Sequence, residues 1–164
     1  MRVAWVFLSL LLLAGTAHAG DWTSYANARF GETIDIPPGF VNDVAEPENA
    51  DGLTFHSADG KAELLVWGNN IVDGDFKAEA QGRVQDETAN GWDVSYQKDA
   101  GGMWSVYSGS KGDRIMYARS LASCKGTQAV HFRIEYPKAA KKDYDAIIDR
   151  LSKSLKAPQD AECS

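Results

Sequence analysis

The sequence predicts an α+β domain: an antiparallel sheet of about six or seven strands with helices packed on it. Three observations point there. Short segments of alternating apolar and polar residues are separated by Asp-Gly and glycine-rich turns. They follow one another in runs joined by short connections, which favours antiparallel pairing. Two helical stretches, one strongly amphipathic, have only that sheet on which to bury an apolar stripe.

Taken in order, Thr33-Ile34-Asp35-Ile36 puts two isoleucines on one face and is stopped by Pro37-Pro38-Gly39. Leu53 to Ser57 and Glu63 to Gly68 read as a hairpin around Ala58-Asp59-Gly60. Asp75 is placed to cap a helix over about Phe76 to Glu87. Trp92 to Tyr96 alternates. Met103 to Ser108 and Arg114 to Arg119 flank a turn expected over Gly109 to Asp113. In the clearest strand, Val130, Phe132, Ile134 and Tyr136 face one way and His131, Arg133 and Glu135 the other. That polar face belongs either to solvent or beneath a helix. Tyr144, Ile147, Ile148, Leu151 and Leu155 then recur at helical spacing as one apolar stripe. The expected order is three strands, a helix, four strands, a helix.

The ends set the compartment. Arg2, the apolar run Val3 to Ala14 and the small-x-small Ala17-His18-Ala19 form an export signal over residues 1–19. Residues 20–156 then form a single domain and 157–164 a polar tail. The run is too short to span a bilayer comfortably, no second one follows, and no lipid-anchor cysteine stands at the cleavage point. A periplasmic or secreted protein without a stable membrane anchor is expected. The formal charge of −6 argues against nucleic acid and anionic lipid as main partners. The chain holds two cysteines, Cys124 and Cys163. An oxidising compartment favours a disulfide between them, the alternatives being a free tail cysteine or an intermolecular link.

Tyr25-Ala-Asn-Ala-Arg-Phe-Gly31 followed by Ile34-Asp-Ile-Pro-Pro-Gly-Phe40 resembles the opening of the PsbP and Mog1-like proteins. Tyr144-Asp-Ala-Ile-Ile-Asp-Arg-Leu-Ser-Lys-Ser-Leu155 looks like their final helix, and Asn49-Ala-Asp-Gly52 before Leu53-Thr-Phe-His-Ser resembles small exported bacterial proteins of this shape. The resemblance covers most of residues 22–156. It implies an α/β/α sandwich around an antiparallel sheet. Its members serve as photosystem-associated subunits, a small-GTPase-binding factor and envelope proteins, so it carries over the fold and no functional residue.

Few constellations carry chemistry. His56 and His131 lack partners at metal-ligand spacing, and no metal or cofactor is expected. Asp73-Gly-Asp75 and Glu48-Asn49-Ala-Asp51 offer oxygens without the EF-hand spacing and read as turns. Ser108-Gly-Ser-Lys111 matches S-x-x-K, yet lies between strands rather than opening a helix, and its companion motifs are missing. No G-x-S-x-G, Walker lysine or C-x-x-C occurs. The tryptophans remain. A ligand or partner surface is expected on the sheet near Trp92, Trp104, Tyr117 and His131. The leading functional reading is a non-enzymatic binding or accessory module of the envelope, holding a protein partner or small ligand. Its rivals are a small hydrolase or acid–base enzyme using His131, Glu135 and Asp113, and a structural envelope protein without a ligand.

Overall fold

The computed structural model describes residues 20–45, 47–159 and 163. The expected export segment lies outside the described residues, as do tail residues 160–162 and 164. The elements run β1 (Thr23–Ala26), β2 (Thr33–Ile36), β3 (Phe40–Val41), β4 (Gly52–Ser57), β5 (Glu63–Asn70), α1 (Phe76–Ala89), β6 (Asp93–Ala100), β7 (Trp104–Lys111), β8 (Arg114–Ser123), β9 (Gln128–Pro137) and α2 (Lys141–Ser154). A seven-stranded sheet has the order β3-β4-β5-β9-β8-β7-β6, and β1 and β2 form a separate ribbon. All pairings are antiparallel.

Strand β9 organises the sheet. It is central, paired to β5 on one side and β8 on the other, and its alternation assigns the two faces. Val130, Phe132, Ile134 and Tyr136 turn into the main core with Leu64 and Val66 of β5, Ile34 and Ile36 of β2, and Leu151 and Leu155 of the C-terminal segment. Tyr144, Ile147 and Ile148 of α2 pack against the same cluster, and Tyr144 stacks on Tyr136 with centroids 4.4 Å apart. The stripe read from the sequence is therefore the buried side of α2. A second cluster, Trp92, Tyr107, Met116 and Ala118, joins Val84 of α1 on the opposite face.

The structure adds two strands to the expected seven. β1 carries only one half-buried aromatic and pairs with nothing but β2, so tertiary pairing rather than pattern makes it a strand. β3 is two residues long, below any readable period. Thr33–Ile36 belongs to the ribbon rather than the main sheet. The turn expected over Gly109–Asp113 narrows to its last two residues. Gly109 stays in β7 because its bare Cα lets the Asp93 carbonyl approach, where a Cβ would collide. The Ala58-Asp59-Gly60 turn and the Asp75 cap form as expected, with the Asp75 carboxylate accepting from the Ala78 N–H at 2.9 Å. Cys124 and Cys163 are joined, with Cα atoms 5.5 Å apart and a sequence separation of 39. Closing such a loop is worth about 4 kcal/mol in the chain-entropy model.

The layers cover the sheet diagonally. On one face α2 lies over β9 and β8 and against β2, and the β1–β2 ribbon joins the core residues of β4 and β5. On the other face α1 lies over the β6–β8 half, touching β6 most closely. The β6–β7 side of the first face and the β4–β5 side of the second are left without a helix.

Glu32 is an unusual member of the main core. It lies two residues before Ile34, is fully buried, and has no hydrogen-bond partner for either carboxyl oxygen. Burial lifts its pKa from the ordinary 4.5 to about 7, opposed by its own backbone N–H and helped by the Asp51 charge. A raised carboxyl pKa stabilises the fold at low pH, and that stability fades as pH climbs through about 7. Glu32→Gln should match wild type near pH 4 in urea unfolding. Its advantage should grow between about pH 4.5 and 7 and level off near 2 kcal/mol, allowing for residual solvent screening. A pH-independent difference between the two proteins would contradict this.

Candidate functional site

The side of the sheet facing α1 carries the polar residues of β9, and α1 meets it through charge as well as packing. Only Phe76 and Ala80 of α1 are buried. Its C-terminal half stands off the sheet over a cleft of about 470 Å³ lined by Trp67, Arg83, Glu87, Trp92, Tyr107 and Arg133, among others. Leu65 and Trp67 also line a second hollow of about 310 Å³ that runs toward Pro47 and Asp51. The two make one groove, with the ridge of α1 on one side and the loop before β4 on the other.

Local sequence explains the placement of each wall. Leu64, Leu65, Val66 and Trp67 are apolar in succession, so β5 shows apolar side chains on both faces. Leu65 and Trp67 are the pair on the α1 face, opposite Arg133 and His131. Trp92 is delivered by the end of α1. Its N–H donates to the Glu87 carbonyl at 3.0 Å and that of Gly91 to Thr88 at 3.0 Å, a closure that needs the positive φ of Gly91.

Cations lie on both indoles. The Arg83 guanidinium sits 5.1 Å from the Trp67 ring and that of Arg133 sits 5.2 Å from Trp92. Arg133 donates to Glu87 at 2.6 Å and to Glu135 at 3.1 Å, and Glu135 also accepts from Arg114 at 2.8 Å. These pairs hold Arg133 above the ordinary arginine range despite burial, which pulls the other way. Arg83 is bound by Glu79 at 2.6 Å and by the Asn69 carbonyl at 2.9 Å. Burial pushes the Tyr107 phenol up to about 12.

His131 lies under this layer, 1% exposed and stacked on Trp67 with centroids 4.8 Å apart. Asn69 Oδ1 already accepts from Arg83, so it takes the His131 Nε2–H at 2.7 Å, and Nδ1 accepts from the Ser120 hydroxyl at 2.7 Å. Burial, with the nearby Arg83 charge, holds His131 well below its ordinary range and therefore neutral. Ser120–His131–Asn69 has the order of a hydrolytic relay. Ser120, however, is 2% exposed in mid-strand, with no path to a substrate.

The sheet divides the four residues expected to share one surface. Trp92 and His131 stand on the α1 face. Trp104 and Tyr117 stand on the other, where Tyr117 packs against the main core and stacks on Phe132. Cross-strand register is the reason: Trp104 sits opposite Leu121, and Tyr117 opposite Ile134, both on the α2 side. Glu135 bonds to arginines rather than to His131. Asp113 sits in the β7–β8 turn, where its carbonyl accepts from the Lys138 N–H. Ser108 and Lys111 are three apart on a strand and point to opposite faces. Asp75 serves as a cap, and Asn49 donates to Asp51 at 2.6 Å within its turn. Among the described residues no three His, Cys, Asp or Glu side chains converge on a metal position. Sequence reasoning missed Trp67, Arg83 and Asn69; the uninterrupted apolar run of β5 was the available signal for Trp67.

No family model matches the chain, and no curated protein matches it by sequence. Solved structures do match its fold. The solution structure of cyanobacterial PsbP from Synechocystis superposes with a TM-score of 0.62 at 12% identity, over 88% of this chain and 96% of that one. The crystal structure of the Saccharomyces cerevisiae Ran-binding protein Mog1p gives 0.63 at 10% identity, over 88% and 99%. A point mutant of Mog1 gives 0.60 at 11%, over 87% and 98%. The chain has a PsbP/Mog1-like fold.

The Arg133–Glu87 pair, each side chain 14% exposed, pins the C-terminal half of α1. Arg133→Met should cost about 3 kcal/mol in urea unfolding, because it strands a half-buried carboxylate, and adding Glu87→Leu should recover most of it. Additive losses in the double variant would show that the pair does not hold the helix.

Proposed function

We propose that this protein is an exported accessory or binding module of the cell envelope that performs no chemistry of its own and receives a protein partner or small ligand in the groove beside α1. The observation that carries this reading is the pairing state of the groove. Its Leu65 and Trp67 wall is partly exposed to a ligand, while the groups that acid–base chemistry would need are already occupied. His131 is neutral and bonded at both nitrogens, and Glu87 and Glu135 neutralise arginines. Residues so committed hold shape and leave stacking, apolar contact and rim charge for recognition.

The fold supports an accessory role in general terms, since one matched structure is a Ran-binding protein. The disulfide suits an oxidising compartment outside the cytoplasm, in keeping with the export signal.

The test places a photocrosslinking side chain at the exposed rim residues Asp86 and Lys111 of the exported protein in intact cells, with Lys77 as the control. A discrete adduct from the rim, lost in a folded Trp67→Ala variant and retained in Glu135→Gln, is the expected outcome. Absence of rim adducts would overturn the reading. Hydrolysis of a chromogenic ester that disappears in His131→Gln would replace it with the acid–base enzyme.

A further inference from the structure

The other open surface, on the α2 side of β6 and β7 with Arg119 of β8 at its margin, has a different character from the groove. Its outward side chains include Tyr96 and Lys98 on β6, Trp104 on β7 and Arg119 on β8, brought together by the pairings Lys98↔Val106↔Arg119 and Trp104↔Leu121. Tyr96 is 49% exposed, and Met103, at the β6–β7 hairpin tip before Trp104, is 66% exposed. The chain has 23 acidic residues against 17 basic ones, yet β7 and β8 contain no carboxylate; of the two acids of β6, Asp99 faces the α1 side opposite Ser105, and Asp93 lies at the far end of this face, opposite Ser110.

Arg119 is the informative member. Arg83, Arg114, Arg133 and Arg150 each pair with a carboxylate. Among the described residues Arg119 has no such pair. Its guanidinium lies 5.3 Å from the Trp104 ring, and its Nε is buried without a hydrogen-bond partner. A guanidinium held in place by an indole, with donors unused, is set to accept a carboxylate as a bidentate partner. Tryptophan, tyrosine and arginine are also the residues that most often anchor protein interfaces.

We propose that this half-face docks an acidic, extended segment of a partner protein, with a carboxylate on Arg119 and Lys98 and apolar side chains against Tyr96 and Trp104. Charge complementarity selects that occupant: a patch that is cationic around Lys98 and Arg119, with its one carboxylate, Asp93, at the far end of β6, attracts a local run of carboxylates on an otherwise acidic molecule, whereas nucleic acid or an anionic bilayer would meet the repulsion of the whole.

Octaglutamate is the probe, with octalysine as control, followed by amide, indole and arginine Nε–H resonances of the isotope-labelled protein. Saturable shifts at Trp104 and Arg119 with octaglutamate alone, weakened by salt, are expected. Arg119→Gln, checked for unchanged unfolding, should weaken binding about tenfold, and Lys77→Gln, on exposed α1 across the sheet, should leave it unchanged. Absence of saturable shifts at Trp104 would overturn the proposal. So would affinity indifferent to Arg119→Gln, or shifts produced by phosphatidylglycerol vesicles and not by octaglutamate.

Discussion

A sheet of seven strands is too wide for the helices this chain supplies. Strands spaced about 4.8 Å apart make it about 30 Å across, and a helix with its side chains covers about 10 Å. One helix and a two-stranded ribbon close half of one face, and one helix closes half of the other. Two half-faces stay uncovered on opposite sides. The rest of the molecule follows from how those openings are lined: Leu65 and Trp67 on one, Tyr96, Trp104 and Arg119 on the other.

Coverage also explains why the two helices look so different in sequence. α2 has a continuous core beneath it and carries a full apolar stripe ending in the buried Leu151. α1 sits on the polar face of β9 and has no such stripe; its hold on the sheet comes from Glu87 on Arg133 and from Arg83 on Asn69 and Trp67. Two buried titratable groups then act in opposition. Glu32, raised, favours the fold as pH falls, and His131, lowered, favours it as pH rises toward its ordinary 6.5. Just below pH 6.5 the two slopes run in opposite directions, so the intact protein reveals neither group clearly.

Much of the fold was legible in the sequence because its strongest signals are local. The alternation of β9, the Asp-Gly turn, the Asp75 cap and the stripe of α2 each depend on a few neighbouring residues, and each stands where the pattern put it. β1 and β3 were illegible because their only support is the strand beside them. The site was harder still. Periodicity assigns faces within a strand but says nothing of parity between strands, so Trp92 and Trp104 read as neighbours although the sheet separates them. His131 was correctly placed on the polar face, while its partners Ser120 and Asn69 come from 11 and 62 residues away. Trp67 was counted among the tryptophans but left out of the expected surface, because an unbroken apolar run hides which residue faces which side.

Hydroxyl-radical footprinting of the folded protein, read residue by residue by mass spectrometry, tests the diagonal coverage most directly. Trp67 and Trp104, on the open half-faces, should oxidise several-fold faster than Trp92, which α1 and the sheet enclose at 7% exposure. Protection of Trp104 equal to that of Trp92 would mean that something in the chain covers the half-face, and the account of two open surfaces would be wrong.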